Sequence, residues 1–448
     1  MVEKSSILRT VPFKDFSKWD VKRFFIKQIQ SSYPVLFLSE LLNEETEKKK
    51  LSKYPEEEFG ILGVSNEVGM FDAYTEKGRN INQPYKIVKN DFIAYNPYRV
   101  NVGSIGIKKD FLKNTYISNA YVVFSTKKEL LPDYLFLLMH TDKFNQLIKD
   151  NTTGSVRQTL SFENLCKIAI PIPSIEDQKL IIQKYQEKIS QAESLEVKAN
   201  QNENNIDSFV FKTLGIKETQ LERKTDSLLN ISSFINMYNW DAKHAILNVN
   251  PQTLLKSSIY KNIPIQIAFA INPSTQIPKE IGEITFLPME CISDIYGAVI
   301  EKRIIDSKTK GYTKFKDNDV IFAKITPCMQ NGKCAVVKDL KQGFGMGSTE
   351  FHVFRAISDD VIPEYLHSLL RTKMLRKAAM NYFTGSSGQQ RVSSEFIENL
   401  YIPLPPLPIQ KEIVSHINKI KKQVKDLRKQ VKDIREQAKK NFEGSIFE

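Results

Sequence analysis

Residues 403–414 read PLPPLPIQKEIV, in which a proline-rich run leads directly into a segment with the composition of a helix. A nearly identical phrase, PIPSIEDQKLII, occupies residues 171–182. The two phrases align without a gap and place Gln178 opposite Gln410. Proline restricts its own φ angle and the conformation of the residue before it. We therefore predict that a long helix follows each phrase, and that the prolines fix the angle at which the chain enters it.

The similarity between the two halves of the chain extends upstream of these phrases. Three further pairs of stretches recur in the same order: KWDVKRF (18–24) with NWDAKHA (239–245), KNDFIAYNPYRVN (89–101) with DNDVIFAKITPCMQN (317–331), and LLPDYLFLL (130–138) with VIPEYLHSLL (361–370). This order indicates a tandem duplication in which each copy is a mixed globular domain followed by a helix. We assign the domains to residues 1–170 and 216–402 and the helices to residues 171–215 and 403–448.

The local pattern predicts the same elements in both copies. DFIAYN and DVIFAK, each opened by a turn, and AYVVF and FHVF are typical of strands. PDYLFLLMHTDKFNQLI and PEYLHSLLRTKMLRKAA are each predicted to form one amphipathic helix with proline in its first turn. GFGMGST (343–349) lacks the lysine of a phosphate-binding loop at the required spacing, and we interpret it as a turn leading into a strand.

The C-terminal helix carries a heptad pattern typical of a coiled coil. Its apolar residues are separated by alternating steps of four and three: Ile413, Ile417, Ile420, Val424, Leu427, Val431, Ile434 and Ala438. The central helix has a weaker seam, interrupted by the polar Glu196: Ile182, Tyr185, Ile189, Ala192, Ala199, Ile206 and Val210. We predict that the two helices pair as an antiparallel coiled coil. The expected fold class is α+β, a tandem duplication of two mixed α/β domains separated and followed by long helices.

Such a helix pair would hold two similar domains at a fixed separation. Helices of roughly 35–40 residues are about 50–60 Å long. That length corresponds to about one and a half turns of duplex DNA at about 34–36 Å per turn. The separation of two reading domains sets the separation of the half-sites they read. Two unequal copies would read two different half-sites.

Composition is compatible with this interpretation. The net charge is +12 and the pI is about 9.2, and residues 408–448 carry eleven Lys and Arg against six Asp and Glu. A polyanionic partner is therefore plausible, although a solvated lysine face is the alternative. The chain lacks an apolar run long enough to cross a membrane and an N-terminal apolar segment typical of a signal peptide. Its four cysteines have no metal-ligand spacing, so we expect a reduced, cytoplasmic protein without a metal site.

The paired Pro-x-Pro-x₄-Gln phrases, the Trp-Asp-x-Lys stretches and the strand NDVIFAKITP together resemble the specificity (S) subunit of type I restriction–modification systems. The resemblance covers essentially the whole chain. It implies two target recognition domains, each reading half of a split double-stranded DNA sequence, and helices that dock two methyltransferase (M) subunits. It further implies that the M subunits bind S-adenosylmethionine and methylate adenine N6. Two restriction (R) subunits, which use ATP and Mg, join for cleavage. The first copy departs from the pattern at AYNPYRVN, which lacks the Thr-Pro of the second.

The chain offers no catalytic constellation of its own. Asn96-Pro97-Tyr98 is one proline short of the loop that holds a flipped adenine, and no glycine-rich S-adenosylmethionine loop follows a strand. The Asp-x-Lys at 241–243 recurs at 20–22 behind the other tryptophan, which favours a structural role over a nuclease site. We interpret the chain as non-catalytic, with no cofactor of its own. The alternatives are a self-contained methyltransferase or nuclease, and a coiled-coil scaffold without a nucleic-acid role.

Base reading needs Arg, Lys, Asn or Gln on loops that reach a groove. Two equivalent loops just before the helices supply one set of candidates: Arg157, Gln158, Gln389, Gln390 and Arg391. The ends of the equivalent strands supply a second set: Tyr98, Arg99 and Asn101 in the first copy, and Lys324, Thr326, Asn331 and Lys333 in the second. The alternative for the first set is a solvated linker loop, and for the second set ordinary polar residues at strand ends.

Overall fold

The computed structural model has the predicted α+β class. It describes residues 31–66, 68–98, 103–151, 159–218, 250–386 and 388–447. The Trp-Asp-x-Lys stretches lie outside these residues. The chain divides into two compact units, which we call the first unit (1–194 with 430–448) and the second unit (195–429). Within the described residues, each unit has its own sheets and its own hydrophobic core.

The first unit is built around two sheets. Its strands are β1 (Val35–Phe37), β2 (Leu42–Glu44), β3 (Lys48–Lys49), β4 (Glu58–Ser65), β5 (Gly69–Lys77), β6 (Tyr85–Ile87), β7 (Ile93–Tyr95), β8 (Ile105–Ile107), β9 (Tyr116–Ser118), β10 (Val122–Thr126) and β11 (Ala169–Pro171). Its helices are α1 (Leu38–Leu41), α2 (Pro132–Met139), α3 (Asp142–Asn151), α4 (Phe162–Cys166) and the start of the central helix α5 (Ile175–Leu214). The sheets have the orders β2-β10-β7-β8 and β3-β6-β9-β4-β5, and β1 pairs with β11.

The second unit repeats much of this plan. Its strands are β12 (Asn262–Pro264), β13 (Phe269–Ile271), β14 (Glu283–Leu287), β15 (Arg303–Asp306), β16 (Thr313–Lys316), β17 (Val320–Ala323), β18 (Cys334–Val336), β19 (Phe344–Gly347), β20 (Phe351–Ala356), β21 (Phe383–Thr384), β22 (Arg391–Val392) and β23 (Tyr401–Pro403). Its helices are α6 (Pro251–Leu254), α7 (Ile265–Ala268), α8 (Pro363–Leu370), α9 (Lys373–Met380), α10 (Ser394–Glu398) and the start of the C-terminal helix α11 (Leu407–Phe447). The order β13-β20-β17-β18 matches β2-β10-β7-β8 of the first unit, which confirms the predicted duplication.

The predicted strands form the centre of these matching sheets. β7 contains Ile-Ala-Tyr of DFIAYN, and β17 contains Val-Ile-Phe-Ala of DVIFAK. β10 contains Val-Val-Phe of AYVVF, and β20 contains all of FHVF. The turn before β7 places Asp91 at a φ of 64°, and the turn before β17 places Asn318 at 68°. Asp and Asn tolerate this left-handed region better than other residues with side chains. The turns predicted before both strands are confirmed.

The prediction of one helix for each of PDYLFLLMHTDKFNQLI and PEYLHSLLRTKMLRKAA is wrong, because each stretch forms two helices. The break falls at Thr141 between α2 and α3, and at Thr372 between α8 and α9. Thr141 Oγ1 accepts a hydrogen bond from Phe144 N at 3.2 Å, and Thr372 Oγ1 accepts one from Leu375 N at 3.4 Å. A threonine side chain in this position caps a new helix and competes with continuation of the old one.

The prediction of a turn at GFGMGST is also wrong, because its middle forms strand β19. This strand pairs with β14 in parallel and with β16 in antiparallel orientation. A Cβ atom at Gly345 would lie 2.3 Å from Cε2 of the buried Phe315 ring. The glycine here therefore makes room for a neighbouring side chain within a sheet, which is a recognised role of glycine in strands.

The heptad seam of α11 faces inward, as predicted. Its most buried members are Ile413, Ile417, Val424, Val431 and Ala438. In the first unit, the Tyr185 ring of α5 packs against the Phe442 ring of α11 with centroids 5.8 Å apart. Lys188 Nζ donates to Gln437 Oε1 at 3.5 Å. Early residues of α5 thus meet late residues of α11.

The two helices meet in the second unit in the same orientation. Phe209 of α5 stacks on His416 of α11 with ring centroids 3.7 Å apart. Arg428 Nη2 donates to Glu203 Oε2 at 2.7 Å, and its Nε lies 3.6 Å from Glu196 Oε1. Late residues of α5 meet early residues of α11, so the coiled coil is antiparallel. The polar residue that interrupts the central seam, Glu196, lies beside an arginine of the partner helix.

The end of α11 completes the core of the first unit. Phe442, Ile446 and Phe447 are buried in the same cluster as Tyr134 and Ile181. Ile446 O accepts a hydrogen bond from the Ser31 hydroxyl, at the other end of the described chain. No helix within the described residues is long and apolar enough to cross a membrane.

A buried glutamine explains the repeated proline phrases in physical terms. Gln178 is fully buried, and its Nε2 donates to Pro173 O and to Glu129 O, both at 2.9 Å. Its Oε1 accepts from Leu131 N at 2.8 Å. The side chain therefore joins the proline segment before α5 to the segment that precedes α2.

The second copy repeats this joint atom for atom. Gln410 is fully buried, and its Nε2 donates to Pro405 O at 2.9 Å and to Asp360 O at 2.7 Å. Its Oε1 accepts from Ile362 N at 3.1 Å. We call each set of bonds the glutamine joint of its unit. Buried polar groups with all their partners in place fix one geometry, because any shift leaves donors or acceptors unpaired.

A buried tyrosine reinforces each joint. Tyr134 donates its hydroxyl to Pro171 O at 3.0 Å, and Tyr365 donates to Pro403 O at 2.8 Å. Burial raises the pKa of both hydroxyls, so both remain protonated donors. The start of each long helix is thus held to its own sheet domain by side chains from two different elements.

Candidate DNA interface

The two sets of candidate residues in the second unit lie on one surface. The chain beyond β17 runs alongside the chain that enters β22: Thr326 N donates to Gln390 O, and Val392 N donates to Lys324 O, both at 2.9 Å. Segments 324–333 and 388–391, which are separated in sequence, are therefore adjacent. We call them the second-unit loop pair.

Arg391 is held at this surface by an ion pair. Its Nε and Nη2 donate to the two carboxylate oxygens of Glu350 at 2.9 and 2.8 Å, and its Nη1 donates to Gln389 O at 2.9 Å. These bonds lower the pKa of Glu350. A guanidinium has five N–H donors, so two remain for a ligand. The Arg391 side chain is 41% exposed, which leaves its outer edge accessible.

The remaining candidates of the loop pair differ in accessibility. Gln389 and Asn331 are exposed, and Gln390 and Lys324 are half-buried. The ammonium of Lys333 donates to Met289 O at 2.9 Å, so its first contact is with the protein backbone. Gln389 and Asn331 are therefore the amide side chains best placed to reach a base edge.

Thr326 combines burial of its hydroxyl with a position at the surface. Its Oγ1 is buried and has no hydrogen-bond partner among the described residues. Its backbone N–H is occupied by Gln390 O. A buried hydroxyl without a partner is costly, so this atom is the polar group of the loop pair that most needs a partner.

Two arginines that the sequence analysis did not single out support the loop pair from below. Arg371 Nη1 donates to Gly332 O at 2.8 Å, and its Nη2 donates to Asp294 O and Ile295 O, each at 3.0 Å. Arg376 donates to Gln330 O. Burial lowers the pKa of both guanidinium groups.

The two arginines pack against glycines with positive φ angles: Arg371 lies against Gly297, and Arg376 lies against Gly332. Gly332 has a φ of 83° and Gly297 a φ of 58°. A Cβ atom at Gly297 would lie 2.1 Å from Arg371 Nη1. Glycine adopts positive φ readily and leaves room for the guanidinium, so loops 294–297 and 330–332 are fixed by the same side chain. In the sequence, the glycine beside Asn331 is a signal for this loop conformation. No residue near the loop in sequence indicates that Arg371 holds it.

The first unit places its candidate segments in the same way. Leu160 N donates to Pro97 O at 3.1 Å, and Tyr95 donates its hydroxyl to Leu160 O at 3.2 Å. The segment after β7 and the segment before α4 are therefore adjacent. Tyr98 is 60% exposed, and its N–H is bonded to Asn96 Oδ1. The other first-copy candidates lie outside the described residues: Arg99, Asn101, Arg157 and Gln158.

Among the described residues no group of three or more His, Cys, Asp or Glu side chains could hold a metal ion. The second-unit loop pair instead offers amides and a guanidinium edge, and the segment after β7 in the first unit offers the exposed ring of Tyr98. These groups bind by hydrogen bonding and stacking. These groups lie on a duplicated domain joined to an antiparallel coiled coil.

A protein-family model described as "Type I restriction modification DNA specificity domain" matches residues 37–214 and 276–434. These two matches cover most of the chain and fall one in each copy. The chain belongs to this family of type I restriction–modification specificity subunits.

Named relatives agree with this assignment. The chain is 39% identical to the type I restriction enzyme EcoEI specificity subunit of Escherichia coli over 152 residues, 34% of this chain and 26% of that protein. It is 22% identical to the EcoKI specificity subunit of E. coli K12 over 260 residues, 56% of this chain and 50% of that protein. The alignments thus span from about a quarter to half of these relatives. A chain solved in a study of complex assembly and conformational transition of the type I R-M system has a TM-score of 0.60 at 15% identity. That match covers 94% of this chain and 97% of the other, and supports the fold.

Proposed function

We propose that this chain reads a bipartite sequence on double-stranded DNA for a type I restriction–modification complex. Each sheet domain reads one half-site through its loop pair, and the antiparallel coiled coil sets the spacing between the halves. The observation that carries the proposal is the pairing of segment 324–326 with 390–392, which brings amide and guanidinium side chains to one accessible surface. The equivalent pairing at Pro97 and Leu160 supports a second surface of the same kind.

The side chains of the second-unit loop pair have the chemistry of direct readout. Glutamine and asparagine bind adenine through two hydrogen bonds, and arginine binds guanine through O6 and N7. The free edge of Arg391 beside Gln389 suits that role, and Lys324 suits a phosphate. Arg371 and Arg376 act through the backbone of the loops they hold. Arg157, Gln158, Arg99 and Asn101 are the proposed readers of the first half-site.

The chemistry of the complex belongs to its partners. We assign adenine N6 methylation, with S-adenosylmethionine, to two M subunits docked on the helices, and ATP- and Mg-dependent cleavage to two R subunits. This chain contributes no catalytic residue and acts in the cytoplasm in host defence. Purified chain mixed with target DNA and S-adenosylmethionine should transfer no methyl group. Methyl transfer by the chain alone would favour the enzyme alternative.

The test is a map of N6-methyladenine across the source genome with and without this gene. One split, asymmetric motif should lose its methylation when the gene is absent. Unchanged methylation should be followed by coexpression with the neighbouring methyltransferase gene in a methylation-free host. Absence of a new split motif there would refute the proposal.

A pair of matched variants assigns the half-sites. Replacing Gln389 and Asn331 by alanine should relax or abolish the second half of the motif and leave the first half unchanged. Replacing Lys308 and Lys310, two exposed lysines elsewhere in the second unit, by alanine should leave the motif intact. Loss of both halves in the Gln389 and Asn331 variant, or an unchanged motif, would contradict the assignment to this loop pair.

A further inference from the structure

The second unit contains a basic cavity that does not include the proposed base-reading side chains. Its volume is about 520 Å³, which is within the range of small-ligand sites. Valine and isoleucine side chains form its apolar floor: Val299, Val336, Val414 and Ile417. Lysines surround this floor: Lys302, Lys338, Lys421, Lys422 and Lys425. We call it the lysine cavity.

One of these lysines belongs to the repeated framework. Lys338 forms an ion pair with Glu364, which also lines the cavity. The first unit has the same pair at equivalent positions, where Lys109 Nζ lies 2.8 Å from Asp133 Oδ2. Apart from this pair, the charged lining of the cavity consists of four lysines and the exposed carboxylate of Asp339. His367 adds no charge, because burial lowers its pKa to about 3.

The remaining lysines form no ion pair within the described part of the chain. No carboxylate of that part pairs with Lys302, Lys421, Lys422 or Lys425. Lys302 donates to the backbone oxygens of Lys338 and Asp339 at 2.9 and 3.0 Å. The lining of the cavity therefore carries more positive than negative charge.

Lys421 is the unusual member of the set. Its Nζ donates to Tyr296 O at 2.9 Å, and an ammonium has three donors. Burial, with the nearby Arg371 as the second cause, lowers the pKa of Lys421 to about 8. A partly buried ammonium with one neutral acceptor is costly to the fold, and an anion beside it would offset that cost.

The duplication shows that the coiled coil does not need these lysines. With Gln178 opposite Gln410, the first copy has Ile189, Ser190 and Glu193 at the positions of Lys421, Lys422 and Lys425. The same helix seam forms with a hydrophobic, a polar and an acidic residue at these places. The three lysines therefore reflect a property of the second unit alone.

We propose that the lysine cavity is a phosphate-binding site, in which Lys421, Lys422 and Lys425 hold the phosphate oxygens above the apolar floor. Lysine binds phosphate as a strong point charge with several N–H donors. The phosphate comes either from a free phosphorylated compound, whose body would rest on the valine and isoleucine floor, or from the backbone of bound DNA. The site goes beyond the proposed base-reading function and does not depend on it.

The first experiment titrates the full-length chain with inorganic pyrophosphate at constant ionic strength and follows heat of binding. The test variant replaces the two exposed lysines, Lys422→Gln with Lys425→Gln. The control replaces Lys419→Gln with Lys429→Gln, exposed lysines of the same helix that do not line the cavity. Saturable binding should be retained in the control and weakened about tenfold in the test variant. Both variants lose two positive charges, so a difference between them reports on the position of the lysines in the cavity. Lys421→Ile, the residue of the first copy, should abolish it.

A second experiment identifies the source of the phosphate. DNA affinity is measured against salt for the assembled complex, where loss of one phosphate contact lowers the slope by about 0.9. A lower slope in the test variant alone identifies the DNA backbone. An unchanged slope with saturable pyrophosphate binding identifies a free compound. Equal pyrophosphate binding by wild type and the test variant, with equal slopes, would overturn the proposal. The pyrophosphate result stands even if the genomic methylation map refutes the base-reading function.

Discussion

The glutamine joint of the second unit is open to a direct test by Gln410→Leu. Leucine has nearly the volume of glutamine and keeps the helix, but it removes all three hydrogen bonds of the side chain. The buried Pro405 O and the half-buried Ile362 N both lose their partner, whereas Asp360 lies at the surface and its oxygen can be hydrated. Each buried group left unpaired costs about 1–3 kcal/mol, so we expect a loss of about 3 kcal/mol in the stability of the second unit.

Hydrogen exchange followed by mass spectrometry on the full-length chain measures this loss where it occurs. The Ile362 amide should exchange about a hundredfold faster or more in Gln410→Leu, since each 1.4 kcal/mol corresponds to a factor of ten. The matched control is Gln423→Leu, an exposed glutamine of the same helix, which should change stability by less than about 0.5 kcal/mol. The twin variant Gln178→Leu should accelerate exchange at Leu131 in the first unit and leave Ile362 protected.

The joint would be refuted as a stabilising device by either of two results. One is a change of less than about 1 kcal/mol in Gln410→Leu, which is below the cost of a single unpaired buried group. The other is equal acceleration of exchange in Gln410→Leu and Gln423→Leu. In either case the proline segment would be held by its backbone alone, and the glutamine would be incidental.

Three further predictions test other contacts. Arg371→Lys keeps the charge but cannot reach three carbonyl oxygens on two loops, so binding of a duplex with only the second half-site intact should weaken about tenfold. Arg303→Lys is the surface control. An equal effect of Arg371→Lys on binding of the first half-site would contradict the positioning role. Phe442→Ala should destabilise the first unit by about 3–5 kcal/mol in chemical denaturation. The control Phe111→Ala, at a side chain that is 77% exposed, should change stability little. Equal effects of the two variants would contradict the role of the chain end in this core. The ion pair with Arg391 lowers the pKa of Glu350 below its usual 4.5. The stabilisation from this pair is therefore present above pH 4.5 and is lost as the pH falls through the lowered pKa. Hydrogen exchange in segment 388–391 should rise over that pH range in wild type but not in Glu350→Gln.

The duplication and the coiled coil could be predicted because both depend on sequence patterns within short segments. The repeated proline phrase is recognised when the two halves of the sequence are aligned. The apolar spacing of alternately four and three residues from Ile413 to Ala438 is specific to a coiled-coil seam. The central strands could be predicted for the same reason, since short apolar runs after Asp91 and Asn318 are bounded by turn residues. None of these inferences requires knowledge of which distant residues meet.

The features that could not be predicted depend on such distant meetings. Glu350 holds Arg391 across 41 positions, and Arg371 holds backbone oxygens 39 and 77 positions away. Side chains that bond to backbone carry no pairing signal in a single sequence. The break at Thr372 was missed because a threonine within an amphipathic pattern is compatible with one helix or two until its hydroxyl finds a capping partner.

The comparison of the two copies separates what the fold holds constant from what it allows to vary. The joint residues are the same in both, with Tyr134 matched by Tyr365 and Gln178 by Gln410. The residues that support the loops differ, since Arg371 corresponds to His140 and Arg376 to Asn145. This division fits the proposed function, in which the joint fixes how each domain meets its helix and the loop supports shape what each domain binds. Exchanging the loop segments between the two copies should therefore transfer sequence preference from one half-site to the other, and an unchanged preference would contradict this division.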